Sequence, residues 1–152
     1  MAYYSTLYDH QKGSDPIVYS PHPDLQKYIR RTAWIEADRL SEFLGISVVL
    51  ACETFQRTGS FKFRAAMNVA LSIPHTRVIT ASSGNFGQAL ALACKLTGKQ
   101  CTVVMPDTSS VVKIDGVKES GGLVDLIDVK QVGRAERVAQ LSALDPEAYV
   151  SS

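Results

Sequence analysis

The sequence predicts an α/β fold in which helices cover both faces of an open parallel sheet. Two observations predict it. Beyond Pro74, short apolar runs alternate with longer segments of helical periodicity. Before Pro74, the run from Ile46 to Cys52 is β-branched and nearly all apolar, which is typical of a buried strand. Because successive strands are separated by helices, the connections between them must be right-handed crossovers, and the strands must run parallel.

The first 74 residues have a less regular pattern. From Met1 to about Pro23 the periodicity is broken by prolines, which predicts an extended arm. A short helix is predicted over Arg39 to Leu44, since Gly45 follows it as a helix-ending glycine. The run from Ile46 to Cys52 is almost wholly apolar and predicts a buried strand, and the residues from Ser60 to Leu71 predict a helix.

After Pro74 the elements alternate strictly. The predicted strands are Arg77 to Thr80, Gln100 to Met105, Leu123 to Ile127 and Ala148 to Ser151, and the predicted helices are Asn85 to Thr97, Val111 to Ser120 and Val132 to Leu144.

Composition excludes several function classes. The 152 residues carry 16 Lys and Arg against 15 Asp and Glu, so the net charge is +1. Nucleic-acid and membrane-surface binding both need a basic excess, and we therefore expect neither partner. No apolar run approaches the roughly 20 residues that cross a bilayer, and the start does not resemble a signal peptide, so we expect a cytoplasmic protein.

Cysteine and histidine usage argues against a metal or redox site. Cys52, Cys94 and Cys101 have no C-x-x-C spacing and lie in apolar segments, which predicts reduced core residues. The three histidines are scattered at spacings that place no two of them on one face. We therefore expect no metal.

The first candidate site is the loop from Ala81 to Gln88. It follows a predicted strand at the edge of the sheet where ligands bind in parallel α/β folds, and it opens directly into a helix. Backbone N–H groups at that helix start, together with the hydroxyls of Ser82 and Ser83, suit a carboxylate or a phosphate. The alternative is that Ser83 or Asn85 only caps the helix.

The second candidate site is Lys62, which lies between two phenylalanines on the first turn of a predicted helix. Cations are favoured at the other end of a helix, and a desolvated amine is a candidate nucleophile for a Schiff base. Gly59 lets the backbone pass close to a ligand. The alternative is a surface lysine whose stem covers its apolar neighbours.

The two segments together resemble one enzyme family. Residues Glu53 to Ala66, with Gly59-Ser60-Phe61-Lys62 at their centre, resemble the lysine motif of the fold-type II pyridoxal-phosphate enzymes, and Ser82 to Ala89 is similar to the asparagine loop of that family. Val104-Met105-Pro106 followed by Lys113 resembles its next landmark. The resemblance is greatest to threonine and serine dehydratases and serine racemase, and it covers only the amino-terminal half of such enzymes.

The resemblance implies a role for each motif residue. Lys62 would form the internal aldimine with pyridoxal phosphate and then take the substrate α-proton. Phe61 would pack beside the cofactor ring, and Asn85 would bond its 3′-oxygen. The substrate carboxylate would be held by Ser82, Ser83, Gly84, Asn85 and Gln88. Ser83 matches the position that acts as the acid and base on the opposite face in racemases of this family.

These roles predict a lyase for a small hydroxy amino acid, of the serine or threonine dehydratase or ammonia-lyase type. The implied layout is an amino-terminal arm over residues 1–30, part of the large domain with its lysine over 31–75, and the small parallel α/β domain over 76–152. Relatives continue through a glycine-rich phosphate cradle. The only glycine pair here is Gly121-Gly122, which precedes a strand of the predicted sheet.

The missing cradle leaves two hypotheses open. One is the amino-terminal half of such an enzyme, either as a fragment of a longer chain or with its other half supplied by another polypeptide. The expected partner is then a second copy, in a homo-oligomer, or a complementing second half. The other is a truncated pseudoenzyme or binding module that keeps the carboxylate loop. A half-built large domain should expose apolar surface from Ile46 to Leu50 and around Met67, so we expect an obligate assembly.

Overall fold

A computed structural model describes residues 21–151 of the chain, and most of the predicted arm lies outside them. Six helices and six strands occur in the described part. The helices are α1 (Leu25–Tyr28), α2 (Asp38–Leu44), α3 (Lys62–Ser72), α4 (Asn85–Leu96), α5 (Val111–Glu119) and α6 (Arg134–Leu144). The strands are β1 (Ala33–Glu36), β2 (Val49–Cys52), β3 (Arg77–Ala81), β4 (Gln100–Pro106), β5 (Leu123–Ile127) and β6 (Tyr149–Ser151).

Four parallel strands form the main sheet, in the order β5-β4-β3-β6. The predicted strands and helices after Pro74 are all present, with bounds that differ by two residues at most. The predicted α/β fold with an open parallel sheet is therefore confirmed.

Alternate residues of each strand face opposite sides of the sheet, and each side has its own core. On one side Val78, Cys101 and Val103 pack in a cluster with α4, α5 and α3. On the other side Ile79 and Val104 pack against Val138 of α6. Because both faces are apolar, both need a helical layer, and helices do cover both faces.

Helix α3 packs on α4 through a single apolar stripe. Phe63, Ala66, Met67 and Ala70 are all fully buried and follow the i, i+3, i+4, i+7 spacing of one helix face. The expectation that apolar surface is exposed around Met67 is therefore wrong, since α4 covers this stripe.

The first strand was not predicted. Strand β1 pairs antiparallel with β2, with Ile35 opposite Leu50. The predicted burial of the strand at 46–52 is wrong, because Val49 is 50% exposed and Leu50 is 46% exposed. No layer of the described residues covers this two-stranded ribbon, and its apolar side chains remain in contact with solvent. The expected exposure from Ile46 to Leu50 is confirmed at Ile46, Val49 and Leu50.

The three cysteines are free thiols, as predicted. Cys94 and Cys101 are buried core residues. Cys52 is only half-buried, because it lies on the uncovered ribbon at the end of β2. Its predicted place in the core is wrong. Among residues 21–151 no group of three or more potential metal ligands is close enough to hold an ion.

Candidate functional site

The loop after β3 positions the start of α4 through the hydroxyl of Ser82. Its Oγ accepts hydrogen bonds from the backbone N–H groups of Gly87, at 3.0 Å, and Gly84, at 3.4 Å. The backbone N–H of Ser82 donates to the carbonyl oxygen of Val104 on β4 at 3.2 Å. The side chain that bonds to the first turn of α4 is thus Ser82. The sequence had suggested Ser83 or Asn85 as the capping residue.

The residues that follow Ser82 are accessible at the helix start. Gly84 and Asn85 are exposed and Ser83 is half-buried. Among the described residues, the side chains of Ser83 and Asn85 make no hydrogen bond. The first N–H groups of a helix have no intrahelical acceptor. This loop therefore presents hydroxyl, amide and backbone donors at the carboxyl edge of the sheet, where an anion can bind.

Gln88 lies one turn further along α4 and faces a neighbouring helix. A Cβ atom at Gly116 of α5 would lie 3.2 Å from both Cδ and Nε2 of Gln88. The half-buried Gln88 side chain therefore packs beside α5, and the glycine leaves room for it.

Lys62 is the first residue of α3. It is half-buried, and its Nζ lies 5.0 Å from the ring centroid of Phe61, which is itself 59% exposed. At that distance the ammonium group and the ring attract each other. The backbone N–H of Lys62 donates to Oγ of the buried Ser60 at 3.3 Å. Among residues 21–151 no hydrogen bond joins the lysine segment to the Ser82 loop.

Glu53 and Arg64 form an ion pair that the sequence did not reveal. Arg64 donates from Nε to Oε2 of Glu53 at 2.9 Å and from Nη2 to Oε1 at 2.8 Å. Such a two-point geometry is stronger and more directional than a single contact. The hydroxyl of Thr32 donates to the same carboxylate and accepts from Arg64 Nη2 at 2.8 Å.

Gln56 extends this network to the backbone of Arg30. Its Oε1 accepts from the Arg30 N–H at 2.9 Å, and its Nε2 donates to the Arg30 carbonyl at 3.0 Å. Nε2 also lies 3.4 Å from Oε2 of Glu53. Gln56 is only 5% exposed, so its polar atoms need these partners.

The network has a clear electrostatic effect on Glu53. Hydrogen bonds from the Arg64 guanidinium, opposed by burial and aided by Thr32 and Gln56, lower the pKa of the Glu53 carboxyl to about 2. The carboxylate is therefore ionised at any physiological pH. Both partners lie inside the lysine motif, but their spacing alone carries no signal that they pair.

One apolar groove of the described residues is not lined by Lys62. A groove of about 780 Å³ lies between α6 and β6 and is lined by residues such as Val138, Ala139 and Val150. Ala81, the first residue of the candidate loop, lines it, whereas Lys62 and the residues from Ser82 to Gln88 do not. We therefore assign it no part in the chemistry of Lys62.

Comparison with known proteins decides the family. The model of the family described as "Pyridoxal-phosphate dependent enzyme" matches residues 25–152, which is most of the chain. The chain belongs to this family. The described fold agrees, because solved fold-type II pyridoxal-phosphate enzymes share it. Pyridoxal phosphate is the family's cofactor.

Individual relatives of the family are dehydratases and racemases. The chain is 41% identical over 106 residues to L-threonine ammonia-lyase of Geobacter sulfurreducens, covering 67% of this chain and 26% of the relative. It is 34% identical over 124 residues to serine racemase of Dictyostelium discoideum, covering 79% of this chain and 38% of the relative.

Solved structures of the family have the same fold. The crystal structure of serine racemase from Dictyostelium discoideum has a TM-score of 0.78 and 31% identity, over 86% of this chain and 43% of that one. Threonine deaminase isoform 2 from Solanum lycopersicum has a TM-score of 0.74 and 31% identity, over 84% of this chain and 36% of that one. The chain thus spans well under half the length of these relatives. Among residues 21–151, no helix is long and apolar enough to cross a membrane.

Proposed function

We propose that this chain supplies the cofactor lysine and the substrate-carboxylate loop of a lyase that acts on a small hydroxy amino acid such as serine or threonine. The observation that carries the proposal is the position of Lys62. It is the first residue of α3, half-buried, with its amine beside the Phe61 ring and its helix fixed to Glu53. The identity to L-threonine ammonia-lyase supports the same substrate class.

The residues fit pyridoxal phosphate at its ring and at its aldehyde carbon. Lys62 offers a primary amine to the aldehyde, the exposed Phe61 offers a ring face, and Asn85 offers an amide with no partner among the described residues. When bound, the cofactor supplies an electron sink that stabilises negative charge at the substrate α-carbon. Lys62 is the group that takes the α-proton, and Ser83 is the candidate acid or base on the other face.

The loop at α4 suits the substrate carboxylate. Ser82 Oγ accepts hydrogen bonds from the N–H groups of Gly84 and Gly87. A hydroxyl that accepts two hydrogen bonds can still donate its proton to a third group. The half-buried Ser83 and the exposed Gly84 and Asn85 add further donors, and the Gln88 side chain lies on the side of the loop that faces α5. A carboxylate bound here would also gain from the helix N-terminus.

The one glycine pair among residues 21–151 does not suit the cofactor phosphate. Gly122 is packed against Ala91 and Val117, since a Cβ atom there would lie 2.8 Å from side-chain atoms of both residues. The Gly121-Gly122 pair is therefore part of the turn after α5 and is no phosphate cradle. We propose that catalysis also needs the part of the fold that the longer relatives contain beyond the region that matches this chain.

The binding-module alternative is not favoured, because the relatives named above are enzymes. The two proposals differ in what they require of Lys62. An enzyme needs its amine, whereas a carboxylate-binding module does not.

Spectroscopy with added pyridoxal phosphate tests the proposal. Wild-type protein, alone or mixed with a candidate second half, should develop a visible absorbance band that survives gel filtration. Lys62→Ala should abolish the band, and Lys113→Ala, which removes an exposed lysine of α5, should keep it. The mixture should convert L-serine or L-threonine to an oxo acid and ammonia. Colourless protein under every one of these conditions contradicts the proposal.

A further inference from the structure

The ion pair between Glu53 and Arg64 holds the helix that carries Lys62. Arg64 follows Lys62 by two positions, so the two side chains leave α3 about 200° apart around its axis. The ion pair between Glu53 and Arg64 therefore holds the side of the first turn that faces away from Lys62. Any rotation or fraying of this turn would move the amine.

Apart from the fully buried Phe63, the first turn of α3 has few side-chain restraints. Its N-cap residue, Phe61, makes no side-chain capping hydrogen bond. The backbone N–H of Lys62 reaches Ser60 Oγ at a long 3.3 Å, and that of Phe63 reaches the Ser60 carbonyl at 3.3 Å. Helix ends fray where such bonds are weak. The backbone N–H of Arg64 donates to the Phe61 carbonyl at 3.0 Å. Beside the buried Phe63, Arg64 is therefore a side chain that ties this turn to the rest of the protein.

The other end of the pair is anchored in the body of the protein. The Glu53 carboxylate is bonded by Thr32, and Gln56 ties the same loop to the backbone of Arg30. Arg64 Nη2 also donates to the Arg30 carbonyl at 2.9 Å. One carboxylate thus joins three separate segments of the chain at the base of the lysine helix.

We infer that Glu53 is a positioning residue for Lys62, because its two hydrogen bonds with Arg64 hold the first turn of α3, and with it the Lys62 amine, in one orientation. This inference rests on the proposed role of Lys62. Glu53 acts through Arg64 and the helix.

The chain contains a matched control pair. Arg137 donates to Asp125 from Nε at 3.1 Å and from Nη2 at 2.8 Å. The exposed fractions of the side chains are 32% and 19% for Arg137 and Asp125, against 29% and 15% for Arg64 and Glu53. This pair joins α6 to β5, away from the lysine helix. Asp125→Asn therefore reproduces the loss of charge of Glu53→Gln without touching α3.

The first measurement is the selectivity of lysine modification. The 152-residue chain is exposed briefly to pyridoxal phosphate, reduced with borohydride and digested, and the ratio of modification at Lys62 to that at Lys113 is read by mass spectrometry. Wild type and Asp125→Asn should favour Lys62. Glu53→Gln should lower the ratio at least about threefold, because small displacements of a reacting group are costly. A ratio equal to or above that of wild type overturns the inference.

The second measurement does not depend on the cofactor. Hydrogen exchange at the amides of Phe63 and Arg64 should be at least about tenfold faster in Glu53→Gln than in Asp125→Asn, because the first turn opens more often. If wild type shows no preference for Lys62, the proposed function fails. The exchange rates still decide whether Glu53 orders the turn, and equal rates in the two variants overturn the inference.

If Glu53→Gln fails to fold, Arg64→Lys tests the same inference, because it leaves the Glu53 carboxylate in place. Arg64→Lys keeps the positive charge but loses the two-point geometry. It should change both measurements in the same direction as Glu53→Gln, and unchanged values in both would again contradict the inference.

Discussion

Gly87 of α4 lies directly against Val103 of β4. A Cβ atom at position 87 would be 2.9 Å from Cγ1 of Val103 and 3.2 Å from the Ser82 carbonyl oxygen. The helix that carries the candidate carboxylate loop therefore sits on the sheet at a distance that only glycine allows. Val103 is completely buried and Ser82 holds the turn, so neither neighbour can move freely.

Gly87→Ala should therefore destabilise the protein. We expect the free energy of unfolding to fall by about 1–3 kcal/mol, the usual cost of overpacking. Gly116→Ala is the control, since its new Cβ would meet the flexible amide end of Gln88. It should leave stability unchanged or raise it by up to about 1 kcal/mol, because alanine is the better helix former. Urea unfolding measures both, and equal losses would contradict the close contact at Gly87.

The sequence predicted the parallel sheet well because each element there is marked locally. Strands β3 to β5 are apolar runs bounded by glycine, proline or polar residues, and each helix between them has its own periodicity. Strand β1 escaped prediction because it is only four residues long, and its pairing with β2 is set by contacts distant in sequence.

The candidate site was also predicted only where the sequence carries a local signal. The positions of Lys62 and Asn85 at helix starts were predicted because their motifs mark those starts locally. The bonds among Thr32, Glu53 and Arg64 were not found, because no spacing in the sequence reports contacts across 32 or 11 positions. Predicted exposure at Met67 failed for the same reason, since it depends on how α3 packs against α4.

Glu53 should make stability depend on acid pH. Its pKa falls from 4.5 in a free side chain to about 2 in the folded protein, chiefly through hydrogen bonds from Arg64. The stabilisation is therefore fully present above pH 4.5 and is lost as the pH falls towards 2. After allowance for solvent screening, the loss should be about 1–2 kcal/mol.

Urea unfolding at a series of pH values between 6 and about 2.5 measures this loss. Glu53→Gln has no titrating carboxyl at this position, so its profile should be flatter than that of wild type over the acid range. Asp125→Asn should keep the wild-type contribution of Glu53. Parallel profiles for wild type and Glu53→Gln would contradict the pKa shift.

The three thiols should differ in reactivity. Cys94 and Cys101 are buried, and a hydrogen bond with Cys94, together with burial, raises the pKa of the Cys101 thiol. Cys52 is half-buried, and its hydrogen bond with Thr54 lowers its pKa. The thiolate is the reactive form of cysteine. A thiol reagent should therefore modify Cys52 quickly, and Cys94 and Cys101 only when the protein unfolds. Cys52→Ser should remove the fast phase, and a fast phase that persists would contradict this assignment.

The uncovered ribbon and α2 should drive association. Phe43 is 85% exposed, Ile46 63% and Trp34 69%, whereas monomeric proteins rarely leave several large apolar side chains exposed in one region. Ile46→Ser with Phe43→Ser should therefore shift sedimentation towards the monomer. Val112→Ser is the control, because Val112 is 82% exposed on α5, away from the ribbon. Wild type that sediments as a monomer at all concentrations would contradict both the association and the need for a covering partner.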